Sequence, residues 1–261
     1  KICLNKLSEY RKANPQLINR EVANIRQRRY VAKAKLDDKW VQHRRDLDVA
    51  WRTTNRELKK FQSYKDTSKG RKLDFTLTFE EASILFHSNC FYCLRKEEGG
   101  LNGIDRFNNS LGYNSENAKA CCPDCNRMKL EWDFESFILI LGHILASNGR
   151  EGKLCFERLF NSKRSHYTTY KLCANNRGYI FEITQAEYEQ HTTGDCYICG
   201  HKTENNHSNG IDRFDNDIGY IFSNCRSCCG SCNSLKMAHS HEELLQQCER
   251  IYAIHGPNVV A

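Results

Sequence analysis

Eight of the chain's 15 cysteines fall into four Cys-x-x-Cys pairs: Cys90/Cys93, Cys122/Cys125, Cys196/Cys199 and Cys229/Cys232. Two such pairs brought together supply the four soft ligands of a tetrahedral zinc site. The first two pairs therefore define one four-cysteine site and the last two a second. All four positions of each are filled by cysteine, so the zinc is expected to be structural. Beside abundant Lys and an ordinary core composition, this spacing fits reduced thiolates on metal better than disulfides. The expected setting is an intracellular, reducing compartment, whether nucleus, cytoplasm, organelle or virion. Two of the pairs follow another cysteine (Cys121, Cys228), and the second residue of each dipeptide has the correct spacing. Cys3, Cys121, Cys155, Cys173, Cys225, Cys228 and Cys248 then fit as small buried apolar residues.

Between the pairs lies a segment that occurs twice, NGIDRFNNSLGYNSENAKACCPDCNRMK from Asn102 and NGIDRFDNDIGYIFSNCRSCCGSCNSLK from Asn209. The chain thus carries its own two-sequence comparison. Asp105-Arg106, Gly112-Tyr113, Asn117, Asn126 and Lys129 recur as Asp212-Arg213, Gly219-Tyr220, Asn224, Asn233 and Lys236. The spacers have drifted: Asn108 faces Asp215, and Asn114-Ser115 faces Ile221-Phe222. Taken alone, Gly-Tyr is also compatible with a turn carrying a packed ring, and Asp105 with a turn cap or a partner for Arg106.

This pattern of Asp-Arg, Gly-Tyr, Asn and Cys-Asn-x-x-Lys resembles the HNH, or ββα-metal, endonucleases, most of all rare-cutting HNH restriction enzymes. The resemblance extends over the whole of each unit. It implies a hairpin and a helix around one Mg²⁺ or Mn²⁺ per module, with Asp105 and Asp212 as hard oxygen ligands. Asn117 and Asn224 would supply an amide oxygen or position the ligand loop. Arg106 and Arg213 would hold the scissile phosphate through forked donors. Many family members carry His after the Asp, and here Arg stands in its place. The resemblance therefore points to Tyr113 and Tyr220 as water activators, with Asn126 and Asn233 at the third motif position. Lys129 and Lys236 are expected to contact phosphate.

The elements that must position these groups start before the knuckles. Tyr64-Lys65 and the stretch from Leu73 to Thr78 match Tyr170-Lys171 and Tyr179 to Thr184 at an offset of 106, which becomes 107 after a loop insertion. Each unit should hold a helix entry, an extended FTLT or FEIT piece, a helix capped by Thr78 or Thr184, the chemical segment and a closing amphipathic helix. The first closing helix runs from Asp133 to about Ala146, with Phe134, Phe137, Ile138, Leu141 and Leu145 inward. The second starts at Ser240, where Glu243 completes a capping box.

The expected fold class is α+β, with two tandem zinc-stabilised ββα-metal modules behind a long basic helical arm. The corresponding boundaries are 1–63 for the arm, 64–146 for module one, 147–164 for a connector, 165–256 for module two and 257–261 for a tail. In the connector, Leu154, Phe156, Leu159 and Phe160 should dock on a module.

Charge is unevenly placed. Residues 1–72 hold 21 Lys+Arg against 8 Asp+Glu, and the remainder 18 against 24, within a net charge of +7. From Pro15 to Gln62 no further Pro and no Gly interrupts a helical pattern, whose stripe of Trp40, Leu47, Trp51 and Leu58 reads as a packing seam. Arg26, Arg28, Arg29, Lys33 and Lys35 form the densest cationic cluster and suit a phosphate backbone. No run approaches the roughly 18 apolar residues of a membrane span, so no membrane partner is expected. The resulting expectation is a metal-dependent endonuclease binding nucleic acid, DNA before RNA. It would be a monomer acting as a pseudo-dimer with one site per module. The alternative is a catalytically silent, zinc-containing nucleic-acid-binding scaffold in a ribonucleoprotein, virion or chromatin-like assembly.

Overall fold

The structure, a computed structural model, describes Arg28 and residues 41–47, 54–97, 100–159, 161–204 and 206–260. The chain divides at Lys60, and both repeat units lie within a single compact unit that begins at Phe61. Of the arm, Arg28 is helical and exposed, and residues 41–47 are helical, with the Gln42 amide donating to Asp46 one turn on at 2.9 Å. Cys3, Arg26, Arg29, Lys33, Lys35, Trp40 and Trp51 lie outside the described residues. Leu47 and Leu58 are 51% and 46% exposed, so the expected stripe is not buried where it is described.

Module one comprises α1 (Arg56–Gly70), α2 (Phe79–His87), β1 (Gly103–Arg106), β2 (Ala118–Cys121), α3 (Pro123–Lys129) and α4 (Phe134–Ser147). Module two repeats the plan with α5 (Tyr167–Asn176), α6 (Gln185–Thr192), β3 (Gly210–Arg213), β4 (Cys225–Cys228), α7 (Gly230–Lys236) and α8 (His241–Val260). The class is α+β. Each hairpin is antiparallel and sets its aspartate opposite a cation, Asp105 across from Lys119 and Asp212 across from Arg226.

Local chemistry explains the helix starts. Thr78 with Glu81 and Thr184 with Glu187 close capping boxes on α2 and α6, and Ser240 with Glu243 does so for α8. Asp133 caps α4 by accepting from the Ser136 N–H at 2.9 Å. The expected tail from residue 257 is instead the last turn of α8, held because Val259 packs against the central core.

The glycines of the repeated segment answer to backbone proximity. A Cβ on Gly112 would lie 2.1 Å from the Asp74 carbonyl oxygen, and one on Gly219 would lie 2.4 Å from that of Ile180. This close approach lets the Tyr113 N–H donate to Asp74 O at 2.9 Å and the Tyr220 N–H to Ile180 O at 2.8 Å. The extended FTLT and FEIT pieces are thereby bridged in parallel to the Gly-Tyr residues. Tyr64 and Tyr170 sit over Gly103 and Gly210, and their hydroxyls accept from the Ile104 and Ile211 N–H groups at 2.8 and 3.3 Å.

One central core joins the modules. Phe137, Ile138, Leu141, Ile144 and Leu145 of α4 pack with Leu244, Leu245, Cys248 and Ile251 of α8, together with both cysteine clusters. The contacts are reciprocal. From α4, His143 Nε2 donates to Cys199 O at 2.8 Å and the Asn148 amide to Ile198 O at 2.7 Å. The His143 tautomer follows from Nδ1, which accepts from the Cys155 N–H at 2.9 Å. From α8, the Gln247 amide donates to Cys125 Sγ at 3.1 Å, and His255 Nε2 to Phe91 O at 3.0 Å.

In the connector Cys155 is buried and Leu159 packs on this core, whereas Leu154 and Phe156 are 53% and 58% exposed and Phe160 lies outside the described residues. Phe156 nonetheless sets its ring edge-on to His143 of α4 with the centroids 4.7 Å apart, beside the Cys155 N–H bond to the same imidazole. Among the described residues no helix is long and apolar enough to cross a membrane.

Gly112→Ala is expected to cost about 1–3 kcal/mol in urea unfolding, because the clash is with backbone. Gly70→Ala, where a Cβ meets nothing within 4 Å, should be neutral or slightly stabilising.

Candidate functional site

The Sγ atoms of Cys90, Cys93, Cys122 and Cys125 lie within 4.8 Å of one another, as do those of Cys196, Cys199, Cys229 and Cys232, and all eight residues are buried. Cys93 to Cys122 and Cys199 to Cys229 are 3.8 Å apart. That matches the edge, about 3.8 Å, of a tetrahedron with Zn–S bonds of about 2.3 Å, so the donor sets fit zinc. Backbone N–H groups of Cys125 and Cys232 donate to Cys122 Sγ and Cys229 Sγ at 3.5 and 3.3 Å, as expected where sulfur carries charge. The neighbouring thiols of Cys121 and Cys228 turn to the carbonyls of Cys122 and Cys229. Of the other cysteines described, Cys173 is exposed while Cys155, Cys225 and Cys248 are buried.

Each knuckle turn needs a residue in the left-handed region. Module two uses Gly200 (φ 69°), and module one uses Leu94 (φ 57°), which carries a steric cost.

Asp105 and Asp212 are 5% and 6% exposed at the start of their hairpins. Each has the same two side-chain donors. Lys129 Nζ lies 3.2 Å from Asp105 Oδ2, and Lys236 Nζ lies 3.1 Å from Asp212 Oδ2. The hydroxyl of Tyr92 donates to Asp105 Oδ2 at 2.5 Å, and that of Tyr197 to Asp212 Oδ2 at 2.8 Å. Burial pushes both phenols well above their ordinary range and the adjacent carboxylates add to it, so both remain protonated donors. Burial also raises Asp105, against which the Tyr92 bond and Lys129 act.

Lys129 and Lys236 are completely buried, with each ammonium also donating to a backbone carbonyl, Arg106 O or Arg213 O, at 3.0 Å. A fully enclosed ammonium does not reach a phosphate backbone; here it serves the aspartate.

Asn117 and Asn224 clamp the loop that follows. Asn117 Oδ1 accepts from the Asn108 N–H at 2.8 Å, while its amide donates to Asn108 O and Gly112 O at 3.0 and 2.8 Å. Asn224 repeats this with Asp215 and Gly219. Both N–H groups of each amide and one lone pair of its oxygen are committed to the loop, which suits the loop-positioning role of the two open to them. Arg106 Nη1 donates to Asn109 O and Leu111 O, and Arg213 Nη1 to Asn216 O and Ile218 O, so one nitrogen of each fork is committed to the loop.

Tyr113 and Tyr220 lie beneath these guanidinium groups at 5.7 and 5.4 Å from ring centroid to Cζ. Burial raises both phenols, with the arginine partly opposing it. A base working near neutral pH needs the opposite shift, which a cation beside the phenol would favour. The copy comparison missed Tyr92 and Tyr197, because they stand at different positions within their Cys-x-x-Cys pairs.

No family model matches the chain. R423, an uncharacterized protein of Acanthamoeba polyphaga mimivirus, is 37% identical over 200 residues, covering 76% of this chain and 38% of its own length. The chain therefore spans well under half of that relative. Among solved structures, a chain of the rare-cutting HNH restriction endonuclease PacI, described as perturbing DNA, matches 66% of this chain and 98% of its own. Its identity is 18% and its TM-score 0.26. At that score no residue-by-residue correspondence follows.

Native mass spectrometry should find two zinc ions per chain. Cys93→Ser should lower this to one, whereas Cys121→Ser should leave two.

Proposed function

We propose that this chain is a divalent-metal-dependent endonuclease of the HNH kind, acting on DNA before RNA, with one site in each module and the two modules working as a fused dimer. The observation that carries this reading is the duplicated environment of Asp105 and Asp212. Both keep a buried ammonium and a phenol on Oδ2 beside an arginine-bearing loop, although the spacers have drifted.

The aspartates would hold Mg²⁺ or Mn²⁺, which accepts one or two carboxylates and completes its shell with water and substrate phosphate. The ion would supply polarisation of the scissile phosphate and stabilise the leaving oxygen. Lys129 favours the ionised carboxylate of Asp105, and Lys236 lies in the same place on Asp212. Arg106 and Arg213, each tied to its loop through Nη1, have Nη2 and Nε as donors for the phosphate. Asn117 and Asn224 fix that loop. Tyr113 and Tyr220 are the phenols that both modules place beneath the arginines, and they would orient water. The reciprocal capping of each knuckle by the other module's terminal helix supports the dimer-like reading, as an isologous contact would.

A second reading, the silent nucleic-acid-binding scaffold, draws on the same site. The lysine already neutralises each aspartate, and burial raises both candidate activating phenols.

Supercoiled plasmid with Mg²⁺ or Mn²⁺ separates the two. On the nuclease reading the parent linearises plasmid, and Asp105→Asn or Asp212→Asn nicks it, with linearisation slowed at least about 100-fold. The double variant should do neither, with zinc content confirming the fold. Intact plasmid under every metal, with nucleic-acid binding retained, would establish the scaffold.

A further inference from the structure

In module one the hydroxyl on Asp105 Oδ2 comes from Tyr92, the second residue between Cys90 and Cys93. In module two the hydroxyl on Asp212 Oδ2 comes from Tyr197, the first residue between Cys196 and Cys199. At the repeat offset of 106, Tyr92 faces Ile198 and Phe91 faces Tyr197. The hydroxyl has been kept while the position that supplies it has not.

The two phenols also arrive from different surroundings. Tyr92 is completely buried, with its ring edge-on to Phe91 and Phe137. Tyr197 is partly exposed, beside Phe214 and His241. A buried phenol needs some acceptor. That need alone does not explain why both end on the same carboxylate oxygen, least of all for Tyr197, which has access to water. The lysine ammonium sits on that oxygen too, at 3.2 and 3.1 Å, and Lys129 also donates to Asp105 Oδ1 at 3.5 Å. Both donors converge on Oδ2.

We propose that Tyr92 and Tyr197 are the positioning residues of the two cation sites, each fixing the orientation of its aspartate through Oδ2. This rests on the nuclease reading above. Each tyrosine stands between two zinc ligands, so closure of the knuckle sets where its hydroxyl points. Cysteines that would hold zinc thereby set the position of the hydroxyl on the aspartate, as outer-shell partners do for first-shell ligands.

The test uses Tyr92→Phe, Tyr197→Phe and a transplant, Phe91→Tyr with Tyr92→Ile, that copies the order of module two into module one. Zinc content and melting temperature report the fold. Bound Mn²⁺ is counted from loss of the free-ion paramagnetic signal, with and without plasmid, and plasmid form is followed in parallel. With two zinc ions retained, each single variant should weaken Mn²⁺ at one of two sites by about 10- to 100-fold and convert linearisation to nicking. The transplant should return Mn²⁺ binding to within about threefold of the parent.

A purely structural tyrosine would change melting and leave the Mn²⁺ count alone. Single variants that keep both Mn²⁺ sites at parental affinity overturn the proposal. A folded, zinc-loaded transplant as weak as Tyr92→Phe does so as well. A parent that binds no Mn²⁺ and leaves plasmid intact ends the nuclease reading itself, and this inference with it.

Discussion

Four cysteine sulfurs within 4.8 Å of one another cannot all be thiolates unless a cation lies among them. Two like charges at about 4 Å repel by about 4 kcal/mol even at an effective dielectric of 20. A divalent ion would turn that repulsion into cohesion, and this chain holds two clusters that could do so within a single apolar core. The amphipathic helices α4 and α8 pack on each other, and each also bonds the knuckle of the opposite module through His143 and Asn148 or Gln247 and His255. Loss of metal from either cluster would therefore strip support from the terminal helix of the opposite module. The hairpins, held in smaller cores around Ile104 and Ile211, are carried on this frame.

Within that frame the buried aspartate–lysine pairs are not explained by stability. Desolvating two charges offsets most of their attraction, and apolar replacements of such pairs are often neutral or stabilising. Their presence in both modules fits orientation better, since lysine and tyrosine together hold one oxygen of each carboxylate.

Backbone strain beside the lysines points the same way. Leu130 and Met237 follow Lys129 and Lys236 with φ of 47° and 53°, in turns closed by Trp132 N–H to Lys129 O and His239 N–H to Lys236 O at 3.0 Å. A non-glycine residue there costs about 1–3 kcal/mol. The turn carbonyls accept from Asn109 and Asn216, which lie in the loops that the arginines grip. Strain retained in both copies thus helps shape the loop beside each aspartate.

Several features were legible from residue type and spacing. The ligand choice within Cys121-Cys122 and Cys228-Cys229, the caps at Thr78, Thr184, Asp133 and Ser240, and the inward face of α4 are all set within a few residues of chain. Lys129 and Lys236 were misleading because a lysine is ordinarily solvated, and only the packing of α3 and α7 under the hairpins encloses them. Leu154 misled in the other direction, apolar by type but exposed, whereas Phe156 keeps an edge-on contact with His143 of α4. The end of α8 was hidden behind Pro257, which local rules treat as a helix stop.

What the sequence by itself determined is which cysteines gather into two four-sulfur clusters and that the unit occurs twice, because thiol chemistry at two-residue spacing and a repeated segment are local properties of the chain. Only the tertiary structure decided which hydroxyl holds each aspartate and which helix covers each knuckle. Those contacts join residues 13 and 15 positions apart in the first case, and 56 and 164 apart in the second. They depend on how two modules share one core, and for the tyrosines a one-residue change of position within the knuckle was absorbed by packing while the hydrogen bond was kept.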